Sequence, residues 1–210
     1  MAARPVLYVL AGVNGAGKSS IGGHLLTRAG LSWFNPDAFA RELVQETGAR
    51  QEDANAAAWH EGMRRLEQAL AQGRSHAFET TLGGATVAAR LRAAVATHDV
   101  LLWYCGLSSP EQHIARVRAR VAAGGHDIPT RKIRERFDSA RLNLIGLMPA
   151  LAHLAVYDNS VDALPGQSVP EPRRLLEMAA GKLRWPTATH EQRATPDWAK
   201  PLLEAALQRR

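Results

Sequence analysis

The chain has 210 residues, 46% of them apolar, which is enough to bury a sizeable core, and residues 1–210 read as one α/β domain. Its 26 Lys and Arg against 20 Asp and Glu give a formal charge of +6, which suits a protein that holds phosphate-rich small molecules and suits a nucleic-acid binder equally well. No apolar run reaches membrane-spanning length, Arg4 precedes too short an apolar stretch for a leader, and the one cysteine, Cys105, allows no internal disulfide or cysteine-based zinc site; the reading is a cytoplasmic protein with a core cysteine.

Pro5–Ala11 is a continuous apolar run bounded by turn residues, the pattern of a buried parallel strand. It leads into Gly12-Val13-Asn14-Gly15-Ala16-Gly17-Lys18-Ser19, which fits the phosphate-binding pattern G-x-x-x-x-G-K-[ST] at every fixed position. Successive backbone N–H groups in such a loop, followed by a helix N-terminus, form a cage for phosphate oxygens. The nucleotide-holding set is therefore Gly12, Asn14, Gly15, Ala16, Gly17, Lys18, Ser19 and Ser20. Lys18 reaches the β/γ-phosphates of ATP and the Ser19 hydroxyl ligates Mg²⁺. A helix weakened by Gly22-Gly23 continues to Arg28 and stops near Gly30.

Leu31–Phe34 reads as a short strand ending at Asn35-Pro36-Asp37, where the proline forces Asn35 out of helical geometry and opens a helix over Ala38–Gln45. Asn35 or Asp37 can simply cap that helix, but a carboxylate at a strand end one β-α unit after a phosphate loop also stands where open α/β sheets hold ligands. Glu52–Gln72 has a helical period of apolar residues, Ala58, Trp59, Met63, Leu66, Ala69 and Leu70, and reads as a packing helix. His76–Gly84 is a strand opening into a glycine turn, which places Glu79, Thr80 and Thr81 at a second strand end. Thr86–Thr97 is amphipathic helix, Asp99–Cys105 a buried strand, and Ser108-Ser109-Pro110-Glu111 a capped helix start.

Between about 110 and 150, eight basic residues including Arg116, Arg120, Arg134 and Arg136 surround a Gly124-Gly125-His126-Asp127-Ile128-Pro129 turn between two helices. A solvated basic face fits the pattern; so does an arginine-rich lid that closes over a phosphoryl-transfer site. His126 reads as a turn-stabilising residue rather than a catalyst. His153–Ser160 is the last core strand. A C-terminal appendage over about 164–210 follows: a Pro- and Gly-rich stretch, a hairpin of Leu175–Met178 with Lys182–Trp185 around Gly181 at positive φ, and a closing helix over Pro196–Leu207.

No strand ends in the paired acids of large ATPase machines. Instead Gly12–Ser20, Asn35-Pro36-Asp37, Phe78-Glu79-Thr80-Thr81-Leu82, Arg120-Val121 with the Gly124–Pro129 turn, Arg134–Phe137 and Tyr157-Asp158-Asn159-Ser160 together resemble the zeta-toxin-like kinases, most of all the compact subgroup described as predicted ABC-type ATPases. The resemblance covers about residues 5–160. It implies a P-loop nucleoside-kinase-like parallel sheet flanked by helices, and ATP/Mg²⁺-dependent phosphorylation of a hydroxyl group, UDP-N-acetylglucosamine being the family's acceptor. It implies Asp37 as catalytic base, Glu79 as a substrate-side acid beside Asn35, Thr80 and Thr81, and Arg120 and Arg136 as lid arginines on the transferring phosphate. A protein antitoxin is an implied partner; no membrane is, and nucleic acid is not expected. The C-terminal part differs from the longer tail of larger zeta toxins. Two other readings stay open: a polynucleotide 5′-hydroxyl kinase or other nucleic-acid-processing enzyme, and a non-catalytic ATP-dependent binding module.

Overall fold

The computed structural model describes residues 3–19, 22, 26, 31–162 and 170–208. Six strands, β1 (Val6–Ala11), β2 (His76–Thr80), β3 (Asp99–Gly106), β4 (His153–Asp158), β5 (Arg173–Ala179) and β6 (Lys182–Trp185), form one sheet in the order β2-β1-β3-β4-β5-β6. The first four are parallel, which requires crossover connections, and helices supply them: α1 (Pro36–Thr47), α2 (Gln51–Ala71), α3 (Ala85–Ala94), α4 (Pro110–Ala122) and α5 (Thr130–Leu147). Two shorter helices, α6 (Thr189–Arg193) and α7 (Lys200–Leu207), close the chain. The α/β class and the flanking helices are those expected from the sequence. The expected helix after the phosphate loop falls largely outside the described residues, although Lys18, Ser19, Gly22 and Leu26 are helical.

The parallel strands are buried on both faces, with Leu7, Val9, Val100, Leu102, Leu154 and Val156 all fully excluded from water, which is why they read as unbroken apolar runs. Register aligns their carboxyl ends: Ala11 lies beside Thr80 and Tyr104, and Gly106 beside Asp158. Gly12 then turns the chain out of the sheet at φ +144, donating its N–H to Thr80 O (3.2 Å). A Cβ there would overlap the Cys105 carbonyl, so only glycine serves. Cys105 itself is core, its thiol donating to Ala16 O (3.0 Å), and burial pushes its pKa up to about 12.

Two expectations are revised. Leu31–Phe34 is no strand; only Phe34 pairs, in a single parallel bridge with Phe78, donating to Ala77 O and accepting from Glu79 N, both at 2.9 Å. Pro36, two residues on, has no N–H to continue a ladder and starts α1 instead. Nor is β4 the last strand of the sheet: β5 pairs antiparallel with it and carries β6, with Leu175, Leu176 and Met178 buried. Gly181 sits at φ +72 in the hairpin, as expected.

The closing helix does more than cover the hairpin. Trp198, 4% exposed, lies against Gly106 and Tyr104 at the end of β3, and its indole N–H donates to Asp158 (3.3 Å). Trp198→Ala should therefore destabilise the whole fold by about 3–5 kcal/mol in urea unfolding, as expected for a large core residue; a change below about 1 kcal/mol would detach the C-terminal segment from the core.

Candidate active site

The aligned strand ends form the floor of the site. Lys18 and Glu79, each 7% exposed, face one another with Nζ 3.5 Å from Oε1. Lys18 also reaches Val13 O (3.4 Å) within its own loop. The second Glu79 oxygen accepts from Ser19 Oγ (3.0 Å) and from Asn35 Nδ2 (3.0 Å), and Asn35 Nδ2 also reaches Ser19 Oγ (3.2 Å). Glu79, expected on the acceptor side, lines the cleft and also contacts the phosphate loop through Lys18 and Ser19. Asn35 serves both readings at once, because its Oδ1 caps α1 by accepting from Ala38 N (3.1 Å) while its amide nitrogen points into the site.

The loop is braced from beneath. Asn159 Nδ2 donates to Ala16 O (2.9 Å), and His113, on α4 and 1% exposed, donates Nδ1–H to Asn14 O (2.8 Å). Burial pulls the His113 pKa down to about 4, so this ring stays neutral under the loop. Arg136, on α5, donates to Asn14 Oδ1 (2.7 Å); burial lowers its pKa, and Asp37 opposes that effect. Of the two lid arginines expected on the phosphate, Arg136 alone touches the loop. Arg120 instead faces Asp37, with its guanidinium 3.5 Å from Oδ2.

Asp37 occupies the first turn of α1 and is not its cap; its carboxylate lines the cleft, and its ion-pair partners among the described residues are Arg120 and His126. Thr80 and Thr81 line the cleft, but their hydroxyls also hold the turn after β2, accepting from Leu82 N (3.0 Å) and Gly83 N (3.4 Å). That turn puts the fully buried Leu82 at φ +56, and α5 anchors it: Asn143 Nδ2 donates to Leu82 O (2.8 Å) and Ser139 Oγ to Gly83 O (2.9 Å). The other basic residues between 110 and 150 divide between the two readings, for Lys132 lines the cleft while three arginines turn away from it. Arg116 pairs with Asp162 (2.6 Å), Arg131 with Glu135 (2.6 Å) and Arg134 with Glu111, all outside the cleft. Ser20 lies outside the described residues.

The cleft holds about 270 Å³ and extends from Lys18 and Arg136 past Asp37 to a wall contributed by α2. Two residues there differ from expectation. Trp59, placed by its helical period in the core, is 47% exposed and lines the cleft with Phe34, Ala58, Met63 and Phe78. His126, expected only to stabilise its turn, has its ring against Asp37 with Nε2 3.9 Å from Oδ1. The signal for the first was a tryptophan at the border of the apolar stripe; for the second, a histidine beside paired glycines between two basic helices.

The residues present fit a Mg²⁺-nucleotide. Loop, ammonium and helix start supply the phosphate cage, and Ser19 and Glu79 offer two hard oxygens at one point. No cluster of three or more His, Cys, Asp or Glu that could hold a metal ion occurs among the described residues.

A family model described as AAA domain matches residues 7–142. A search of the curated proteins gives no match. Among solved structures the chain is similar to the AvrRxo1-ORF1:-ORF2 complex with ATP, at 18% identity and TM-score 0.65, with 97% of this chain and 64% of that one covered. The chain thus spans less than two thirds of that relative's length. It is also similar to the PezAT chromosomal toxin–antitoxin system of Streptococcus pneumoniae, at 14% identity and TM-score 0.57, covering 99% and 86% of the two chains. A third likeness is to the Pnkp1/Rnl/Hen1 RNA repair complex, at 17% identity and TM-score 0.51, over 68% of this chain and 46% of that one. At these identities the likeness is one of fold.

The neutral His113 has a consequence for stability. Its folded pKa of about 4 lies below the about 6.5 of a free imidazole, so on acidification the unfolded chain takes up the proton first and stability falls. The loss begins near pH 7 and is complete only about one unit below the folded pKa, near pH 3. Urea unfolding should show about 2 kcal/mol lost to this group between about pH 7.5 and about pH 5. The variant His113→Gln should lack that share; equal losses in both proteins would acquit His113.

Proposed function

The chain belongs to the AAA domain family, and from the site it carries we propose that it is a Mg²⁺-ATP-dependent kinase that transfers the γ-phosphoryl group to a hydroxyl of a nucleotide-linked small molecule. A UDP-N-acetylamino sugar is the best-fitting acceptor, as in the zeta-toxin-like kinases. The observation that carries this reading is Asp37: a carboxylate facing the same cleft as Lys18 and Arg136, paired among the described residues with Arg120 and His126 of the expected lid, and well placed to take a proton from a hydroxyl.

In this reading the loop backbone and Lys18 bind the β- and γ-phosphates. Ser19 and Glu79 hold Mg²⁺, which when bound draws charge from the phosphoryl oxygens. Asp37 accepts the proton of the attacking hydroxyl at a carboxylate oxygen. Arg136, already on the loop, and Arg120, when drawn from Asp37, neutralise charge that builds on the transferring group. The lid over about residues 110–150 excludes water. Trp59, Met63 and Phe34 give the acceptor an apolar face to pack against, while Asn35, Thr80 and Thr81 meet its hydroxyls. This division of the cleft fits a metabolite with a flat or ring-shaped body better than a bare polyol. The fold likeness to the PezAT toxin–antitoxin system supports a toxin role held in check by a protein antitoxin, exercised in the cytoplasm by a single-domain kinase.

Incubation with Mg²⁺-ATP and a panel of UDP-sugars, dinucleotides and 5′-hydroxyl oligonucleotides, with products weighed for an added phosphate, tests the proposal. Phosphorylation of the oligonucleotide alone would reverse it in favour of a polynucleotide kinase. ATP binding with no product from any acceptor would favour a binding module. In the active assay Lys18→Ala should abolish transfer. Asp37→Asn, which keeps shape but cannot act as base, should lower turnover by about 10²-fold or more with nearly unchanged ATP affinity. A larger turnover loss in Glu79→Gln with normal Mg²⁺ dependence would exchange the two carboxylates' roles.

The lid arginines make a separate prediction. Arg136→Ala and Arg120→Ala should each cost at least about tenfold in turnover, because their charge matters most in the transition state. Arg131→Ala, outside the cleft, should cost little; similar losses at all three would return the lid to a solvated face.

A further inference from the structure

We propose that His126 is the positioning residue for Asp37: carried on the lid turn, its Nε2–H engages Asp37 Oδ1, so that lid closure and alignment of the proton-accepting carboxylate are a single event. The meaning of that alignment rests on the kinase reading above; the contact itself rests on geometry.

Among the described residues the His126 ring makes no hydrogen bond within its own turn. Gly124 N and Gly125 N bond to Val121 O and Arg120 O, both at 2.9 Å, Ile128 N bonds to Asp127 Oδ1 (2.8 Å), and of His126 only the carbonyl takes part, accepting from Arg120 (3.2 Å). The side chain is 9% exposed, yet Nε2 is sealed from water with no hydrogen-bond partner. Leaving a ring nitrogen in that condition costs free energy that folding alone does not recover. Asp37 Oδ1 stands 3.9 Å from it, about one ångström beyond a hydrogen bond.

A second lid residue completes the arrangement. Gly125 lacks a side chain because Arg120 packs there; a Cβ would come within 2.7 Å of Arg120 Cγ. So pressed, Arg120 stands 3.5 Å from Asp37 Oδ2, and its own Nε is buried without a partner. The carboxylate is thus bracketed, with one oxygen toward each lid residue. When a phosphoryl group draws Arg120 away, Oδ2 is freed for the acceptor hydroxyl, and a bond from His126 to Oδ1 fixes the rotation of the carboxylate.

The tautomer follows from the charges around the ring. Asp37 and Arg41 face it from α1, Arg120 from α4 and Asp127 from its own turn. Burial lowers its pKa, Arg120 and Arg41 add to that, and the two aspartates oppose it, so at neutral pH the ring is uncharged. A neutral imidazole donates from one nitrogen only, and the one beside Asp37 is Nε2.

The experiment has two arms on the full chain. First, the ¹⁵N-labelled histidine ring of His126, assigned by its absence in His126→Gln, is titrated in wild type and in Asp37→Asn without nucleotide. The expected result is the Nε2–H tautomer and a His126 pKa lower in Asp37→Asn by at least about half a unit, because a carboxylate that favours imidazolium has gone. An Nδ1–H tautomer or an unmoved titration overturns the contact, whether or not the protein is a kinase. Second, with whichever acceptor the panel yields, His126→Ala should lower kcat at least about tenfold with unchanged KM for ATP, and His126→Gln, which can donate from nearly the same place, should recover much of it. Equal losses in both variants at wild-type Tm overturn the positioning role. A wild type that phosphorylates nothing strikes the kinase reading and leaves the first arm to decide the contact.

Discussion

A buried ammonium must be neutralised, and the way this chain meets that demand fixes the layout of the site. Lys18 is carried below the surface by the loop after β1, where an unpaired charge would cost several kcal/mol, and Glu79 at the end of β2 answers it. The pairing works because β2 is hydrogen-bonded directly beside β1, with Ala11 and Thr80 in register. Ser19 and Asn35 then occupy the second carboxylate oxygen, which ties the start of α1 to the loop and leaves Asp37 two residues further along the same turn. A nucleotide brings more negative charge than Glu79 alone provides. In the proposed reading its arrival would transfer Lys18 from one anion to another and release Glu79 oxygens to a cation.

The opposite side of the cleft follows a different logic. The floor is polar and charged, whereas the α2 wall is aromatic and aliphatic, with a half-exposed tryptophan at its rim. Exposed aromatics inside a concavity are costly in water and are useful when a ligand covers them. The lid spans both halves: α5 is fastened to the floor through Asn143, Ser139 and Arg136, while the turn before it reaches Asp37.

Much of this was legible in the residues themselves. The phosphate loop carries its own signature, the parallel strands are apolar runs because both faces are buried, and Ser109 and Asn35 cap their helices as their chemistry suggests. What the sequence concealed are the contacts between segments distant along the chain. Glu79 and Lys18 are separated by 61 positions, and nothing local distinguishes an acid that meets the acceptor from one that meets the loop. Trp59 obeys a helical period, but its neighbours Ala58 and Met63 are buried while it is not, a distinction set by where the cleft opens. Leu31–Phe34 had strand composition and lacked the length to use it, since Pro36 ends the pairing after one bridge.

That single bridge has a role beyond the site. β2 is the outer strand of the sheet, and an uncovered outer strand offers its backbone groups to any other chain. Phe34 occupies two of those groups, one on each side of Phe78, and Arg65 lies over its ring (4.7 Å), so the segment that delivers Asn35 and Asp37 is also the cover of the sheet's open side. Protection of the sheet edge and the proposed site are thereby tied to the same few residues. If Asp37 is the base proposed above, a lineage of this fold that moved it elsewhere would have to find another way to keep its molecules apart, so its placement would be harder to change than its chemistry alone requires.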